Sequence, residues 1–198
     1  HPDMGKDAGL LAGIQDLGVP LTGSLRGDVH AVIVFSVPDA ASHILDQCLS
    51  RKVPLVMATT GLANDIKARL NAASNEIPIV WSPSMSTTVN LAMKLVAMAG
   101  GVLKNMSSGV DVEIVERHHR FKEGAVGKRK GHEIGYHAVR VGDNPGEHTI
   151  IFGLLGETLE INVKASNRDC YAIGALQAAQ FAAQQKPGLY HMYGGLGL

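Results

Sequence analysis

Cysteine is scarce in this chain. Cys48 and Cys170 are the only two among 198 residues, too few for a disulfide framework. Both fall in apolar helical patterns, so buried free thiols in a reducing compartment are the expectation. An excess of charge of either sign is also missing: 18 Lys and Arg balance 18 Asp and Glu. That argues against a nucleic-acid-binding surface or a polybasic membrane patch. No apolar run approaches the ~20 residues of a membrane-spanning helix. No basic stretch followed by an apolar one stands at the start, so no signal peptide is visible and the cytoplasm is the expected location. A leader preceding His1, for example one directing the chain to a plastid, stays compatible with that reading. Internal repeats and low-complexity tracts are absent.

What is present is a globular chain, 45% apolar, long enough for one large or two small domains. The first half alternates strand and helix. Residues 31–36 form a continuous β-branched apolar run ended by Pro38, as expected of a buried parallel strand. Residues 40–51 carry Ile44, Leu45, Cys48 and Leu49 at helical spacing. Residues 53–57 and 77–81 read as further strands, 62–73 and 85–103 as further helices. Such alternation predicts a parallel sheet with right-handed crossovers. The pattern then changes. Residues 111–116, 133–141, 148–153 and 159–165 are strand-like with little helix between them, which predicts a mixed or antiparallel sheet. A helix over 168–184 closes the pattern, stopped by Lys186-Pro187-Gly188.

The densest chemistry follows the first strand of the second half: Glu116-Arg117-His118-His119-Arg120-Phe121-Lys122. Two imidazoles and a lysine are expected where a strand yields to a loop, a rigid place to hold reactive groups. Adjacent strand residues face opposite ways, so His118 and His119 are expected to do different jobs. A solvated loop is the alternative. A metal site is the weaker reading, because no carboxylate or cysteine stands at helical ligand spacing from the pair.

This block resembles the active-site signature of the dihydrodipicolinate reductase family. Further blocks resemble the same family in the same order: Phe35-Ser36-Val37-Pro38-Asp39, Ala58-Thr59-Thr60-Gly61, residues 82–90, Gly142-Asp143-Asn144-Pro145-Gly146-Glu147-His148, and Lys164-Ala165-Ser166-Asn167-Arg168. The resemblance implies an α/β fold. A Rossmann-like nucleotide domain would take residues 1–89 and 167–198. An α+β mixed-sheet domain for substrate and tetramerisation would take 90–166. It implies reduction of 4-hydroxy-tetrahydrodipicolinate with NADH or NADPH, in the diaminopimelate route to lysine.

Two pieces that the resemblance leads one to expect are missing. One is the first strand with its glycine-rich phosphate turn. The other is a substrate loop, Lys-x-Asp-Ala-Pro-Ser-Gly-Thr-Ala, with the helix after it; here Lys122 runs straight into Glu123-Gly124-Ala125. The expectation is that residues are left out of this sequence at both places. A naturally shortened, inactive relative is the alternative. The acidic or basic selector that would decide NADH against NADPH falls in the first gap.

Carried over residue by residue, the resemblance makes His118 an acid/base group, Lys122 the proton donor and His119 a ligand of a substrate carboxylate. Ala58, Thr59, Thr60, Ser82, Pro83, Ser84, Met85 and Phe35 would line the nicotinamide side of the cofactor groove, and Arg168 would reach the cofactor from the second domain. No metal is implied. Structural alternatives stand beside these roles: a helix N-cap and turn glycine for 58–61, plain core packing for Met85, a strand break at Pro38. Asp143, Glu147 and His148 are read as structural or interface residues, because Gly-Asp-Asn-Pro-Gly is a strong turn signal. Apolar side chains on both faces of the second sheet predict burial against identical sheets, and hence a D2 homotetramer. The rival functions are a non-catalytic oligomeric relative and a reductase of another cyclic imino acid.

Overall fold

A computed structural model describes residues 2–119 and 133–197 of the chain. Two four-stranded sheets organise it. The first is built from β1 (Val32–Val34), β2 (Leu55–Met57), β3 (Pro78–Trp81) and β8 (Gly188–Tyr190), in that order and all parallel. The second holds β4 (Asp111–His118), β5 (Gly135–Arg140), β6 (Glu147–Leu154) and β7 (Glu157–Lys164) in the order β5-β4-β6-β7. It is mixed: β4 runs parallel to β5 but antiparallel to β6. The helices are α1 (Ala8–Leu11), α2 (Pro38–Arg51), α3 (Asn64–Ala73), α4 (Thr87–Leu103), α5 (Asp169–Ala182) and α6 (Met192–Leu196).

The first sheet follows from its sequence. Leu55, Val56 and Met57 have no exposed surface, as a strand covered on both faces requires. On one side Leu45, Cys48, Leu70, Leu55 and Ile79 pack together; on the other Val56 and Val80 meet Met85, Ala175 and Ala178 of the returning α5. Pro38 does more than end a strand. It opens α2 two residues earlier than periodicity predicts, its fixed φ suiting the first helical turn. The sequence reading missed β8 altogether. The preceding helix ends at Ala182, before Lys186-Pro187-Gly188 is reached, and the three residues from Gly188 extend the parallel sheet beside β3. Cys48 is buried as expected, whereas Cys170 is only half-buried.

The mixed sheet packs one face on α4. Register places Ile114, Glu116 and His118 on that face with Tyr136, Ala138 and Arg140 from β5, His148, Ile150 and Phe152 from β6, and Leu159, Ile161 and Val163 from β7. Between helix and sheet lies an apolar cavity of about 450 Å³, lined by Val89, Met93, Val96, Ile114, Ile150 and His148 among others. The opposite face is more polar than the sequence reading supposed. There Val115, Val139 and Ile151 sit among paired groups: His137 lies 2.8 Å from Glu113, and Arg117 lies 3.5 Å from Glu147. Counting apolar residues along each strand did not reveal that most of them share one face. Among the described residues, no helix is long and apolar enough to cross a membrane.

Candidate functional site

The predicted cofactor residues gather at the carboxyl ends of β1, β2 and β3, where ligands dock in open parallel sheets. Phe35 follows β1 and is 57% exposed, a large apolar side chain left facing solvent. Thr59 follows β2 and is almost buried; its hydroxyl donates 2.9 Å to the carbonyl of Ser36, tying the ends of neighbouring strands. Thr60 is exposed, and Gly61 turns the chain at φ +72°. Neither threonine caps α3, whose N-cap is Ala63, so the capping alternative fails while the turn glycine holds.

After β3 the chain forms a knitted loop. Ser82 donates to the Ser84 carbonyl at 2.9 Å and to Asn90 Oδ1 at 3.3 Å. Buried Asn90 returns two bonds from Nδ2, to the carbonyls of Ser84 (2.9 Å) and Ser86 (2.8 Å). Ser86 caps α4 through the Val89 amide. Asn90 therefore shapes the loop that carries Pro83 and Ser84, a role the sequence reading did not give it. Met85 is 1% exposed and its side chain belongs to the core. Its side chain is therefore closed to a ligand. Ala58 is half-buried and packs against the same core.

On the mixed sheet, β4 runs two residues further than the sequence predicts. Parallel pairing with β5 aligns Arg117 with Val139 and His118 with Arg140, which keeps His118 in the strand rather than in a loop. His118 is 6% exposed, on the α4 face; His119, half-buried, stands just past the strand end. Lys122 lies outside the described residues.

Around His118 the strands assemble groups that sequence spacing did not connect. Nε2 lies 3.2 Å from Glu116 Oε2, two residues back on the same face. Glu116 Oε1 accepts from Arg140 Nη2 at 2.6 Å across the β4–β5 ladder. His148, opposite Glu116 on β6, meets the His118 ring edge to face with centroids 5.1 Å apart. His148, expected to be structural or interfacial, stands beside His118. Donor atoms of Glu116, His118 and His148 fall within 4.8 Å of one another. The sequence argument against a metal considered helical spacing only and does not reach this cross-strand set. The Arg140 guanidinium already gives the Glu116 carboxylate a permanent cation.

The site also touches the first sheet's side of the molecule. Buried Gly146 lies against His118, and a Cβ there would sit 3.0 Å from His118 Cε1 and 3.1 Å from the Tyr171 hydroxyl. Tyr171 belongs to α5, packs against the core containing Val56, Val80 and Met85, and donates to the Pro145 carbonyl at 3.4 Å. Burial raises its phenol above the usual value. Arg168, at the start of α5, reaches Asp143 of the same turn at 3.4 Å, with its side chain well exposed. The turn over 142–146 thus bridges His118 to the helix that crosses the parallel sheet.

Known proteins resemble this chain over nearly its whole length. The family profile described as dihydrodipicolinate reductase, N-terminus, matches residues 1–85, and its C-terminus counterpart matches residues 88–196. The 4-hydroxy-tetrahydrodipicolinate reductase of Rhodopirellula baltica is 45% identical, over 98% of this chain and 82% of that protein. That alignment spans 231 positions, more than this chain possesses, so the relative carries residues without a counterpart here. The Alkalilimnicola ehrlichii enzyme of the same name is 38% identical, over 98% of this chain and 85% of its own length. Among solved structures, a dipicolinate-bound dihydrodipicolinate reductase from a Paenisporosarcina species shares the fold. Its TM-score is 0.62 at 18% identity, over 80% of this chain and 70% of that one. Matched in both halves, and aligned with relatives along almost all its length, the chain belongs to the dihydrodipicolinate reductase family.

Proposed function

We propose that this chain, an NAD(P)H-dependent oxidoreductase like its relatives, reduces 4-hydroxy-tetrahydrodipicolinate to tetrahydrodipicolinate on the way from diaminopimelate precursors to lysine. The observation that carries this reading is the 45% identity to a 4-hydroxy-tetrahydrodipicolinate reductase along the whole chain. The dipicolinate bound by the Paenisporosarcina protein supports a cyclic dicarboxylate as the substrate class. Overall, the substrate takes up a hydride and a proton and loses water.

The described residues fit a nicotinamide nucleotide. Three parallel strands end side by side, and exposed Phe35 and Thr60 follow two of them while the loop with Pro83 and Ser84 follows the third. When bound, the cofactor supplies the hydride. The hydroxyls of Thr59 and Ser82 are already engaged with backbone carbonyls, so their work is to hold the loops in shape. Arg168, exposed at the start of α5 and 3.4 Å from Asp143, is our candidate for meeting a phosphate or ribose. We assign the proton to Lys122 and His118, and one substrate carboxylate to His119. The domain division at 89/90 and 166/167, a homotetramer and a cytoplasmic setting complete the proposal.

The test is direct. Purified protein is mixed with NADH or NADPH, and loss of reduced nicotinamide absorbance is followed on adding 4-hydroxy-tetrahydrodipicolinate. Turnover with either nucleotide supports the reading. Nucleotide binding without turnover would point to another cyclic imino acid, and neither binding nor turnover to a non-catalytic relative.

A further inference from the structure

His118 is nearly buried, and the sheet face beside it carries the Glu116 carboxylate, the Arg140 guanidinium and the His148 imidazole. Burying ionisable groups is costly unless they are paired, so their pairing fixes their states. Glu116 divides its two oxygens: Oε1 takes the Arg140 guanidinium at 2.6 Å, and Oε2 faces His118 Nε2 at 3.2 Å. The side chains of Glu116 and Arg140 are 22% and 18% exposed, so solvent screens them incompletely. A neutral ring that hydrogen-bonds this carboxylate carries its proton on Nε2. The other ring nitrogen, Nδ1, lies on the side of Gly146, where the absence of a side chain leaves room.

We propose that Glu116 and Arg140 are positioning residues for His118: Glu116 holds the ring by Nε2 and favours its protonation, and Arg140 holds Glu116 while opposing that protonation. The inference rests on the reading of His118 as a group acting in the reaction. Other described groups stand near the ring. His148 does so from β6 and the Tyr171 hydroxyl from α5, while Val163 of β7, opposite His148, is apolar. Among the described groups, Glu116 supplies the negative charge nearest the ring and Arg140 the positive charge nearest that carboxylate. Their removal therefore has opposite signs.

The experiment compares E116Q, R140M and R140K with the wild type. The His118 ring is titrated by NMR in ¹³C-histidine-labelled, substrate-free protein, its signal identified by its loss in H118N. The pH dependence of kcat/KM is measured alongside. E116Q keeps the shape and removes the charge, and is expected to lower the His118 midpoint by about one pH unit. R140M is expected to raise it, and R140K to restore it. The acid limb of the rate profile should move with the ring in each case. Midpoints that stay within about 0.3 unit of wild type, or that move the same way in E116Q and R140M, would overturn the proposal. Should R140M fail to fold, the sign of the E116Q shift decides alone. If the ring midpoint moves as expected while the rate profile stays put, the positioning pair stands and the catalytic reading of His118 falls.

Discussion

Gly174 presses its backbone against the carbonyl of Met85: a Cβ at position 174 would lie 1.7 Å from that oxygen. This contact lets α5 cross the parallel sheet close beside the loop that carries Pro83 and Ser84. Helix propensity alone would favour Gly174→Ala by about 1 kcal/mol. Here the added methyl meets backbone, which cannot swing aside, and net destabilisation of about 2–3 kcal/mol is expected. Urea unfolding midpoints decide it. A variant as stable as wild type would mean that the helix is free to slide.

For the lysine of the signature the prediction concerns rate. Lys122→Ala should lower kcat by about 10²–10⁴ while leaving cofactor affinity nearly unchanged, because a proton donor acts in the transition state. His119→Ala should act the other way round, raising KM for the dicarboxylate more than it lowers kcat. Steady-state kinetics with calorimetric titration of the nucleotide separates the two. Wild-type turnover without Lys122 would remove it from the mechanism.

The two thiols should behave differently. Cys48 has no exposed surface, and burial pushes its thiol up to about 11. The reactive thiolate is therefore scarce as well as shielded at neutral pH. A thiol reagent such as dithionitrobenzoate should titrate Cys170 alone in native protein and both cysteines in denaturant. Rapid modification of Cys48 without unfolding would contradict the packing of α2 on the parallel sheet.

How much of this was legible beforehand depended on whether the signal was local. The strand at 32–34 and the helix ending at Arg51 follow from β-branched runs, helical spacing and Pro38, all of which act within a few residues. The family blocks likewise singled out His118, Thr59 and Ser84 by resemblance alone. Pairing between strands was not legible. Glu116 and Arg140 are 24 positions apart and meet only because β5 runs parallel to β4. His148 opened a predicted strand just past a convincing turn signal, and its place opposite Glu116 was invisible until the register was known. Met85 resembled a cofactor residue by position, but its side chain took the core instead.

Assembly is the next prediction, on altered grounds. The sheet face away from α4 offers a small apolar centre of Val115, Val139 and Ile151, ringed by Glu113, Arg117, His137 and Glu147. A contact of that kind between identical sheets would combine a dry core with a polar rim. A homotetramer is expected by light scattering at low micromolar concentration. Val139→Glu should break it into smaller species without unfolding the chain. A wild-type monomer would refute both the tetramer and this use of the face.

Parallel pairing of β4 with β5 has a consequence for the chain's history as well as its shape. Parallel neighbours are never joined by a hairpin, so the Glu116–Arg140 contact closes a long loop of chain whatever the path between the two strands. The closure entropy of a flexible connection grows by only about 0.6 kcal/mol per doubling of length, provided both anchors keep their places. Length can therefore be gained or lost between the histidine pair and β5 while the Glu116–Arg140 contact survives, since that contact is made by the anchors alone.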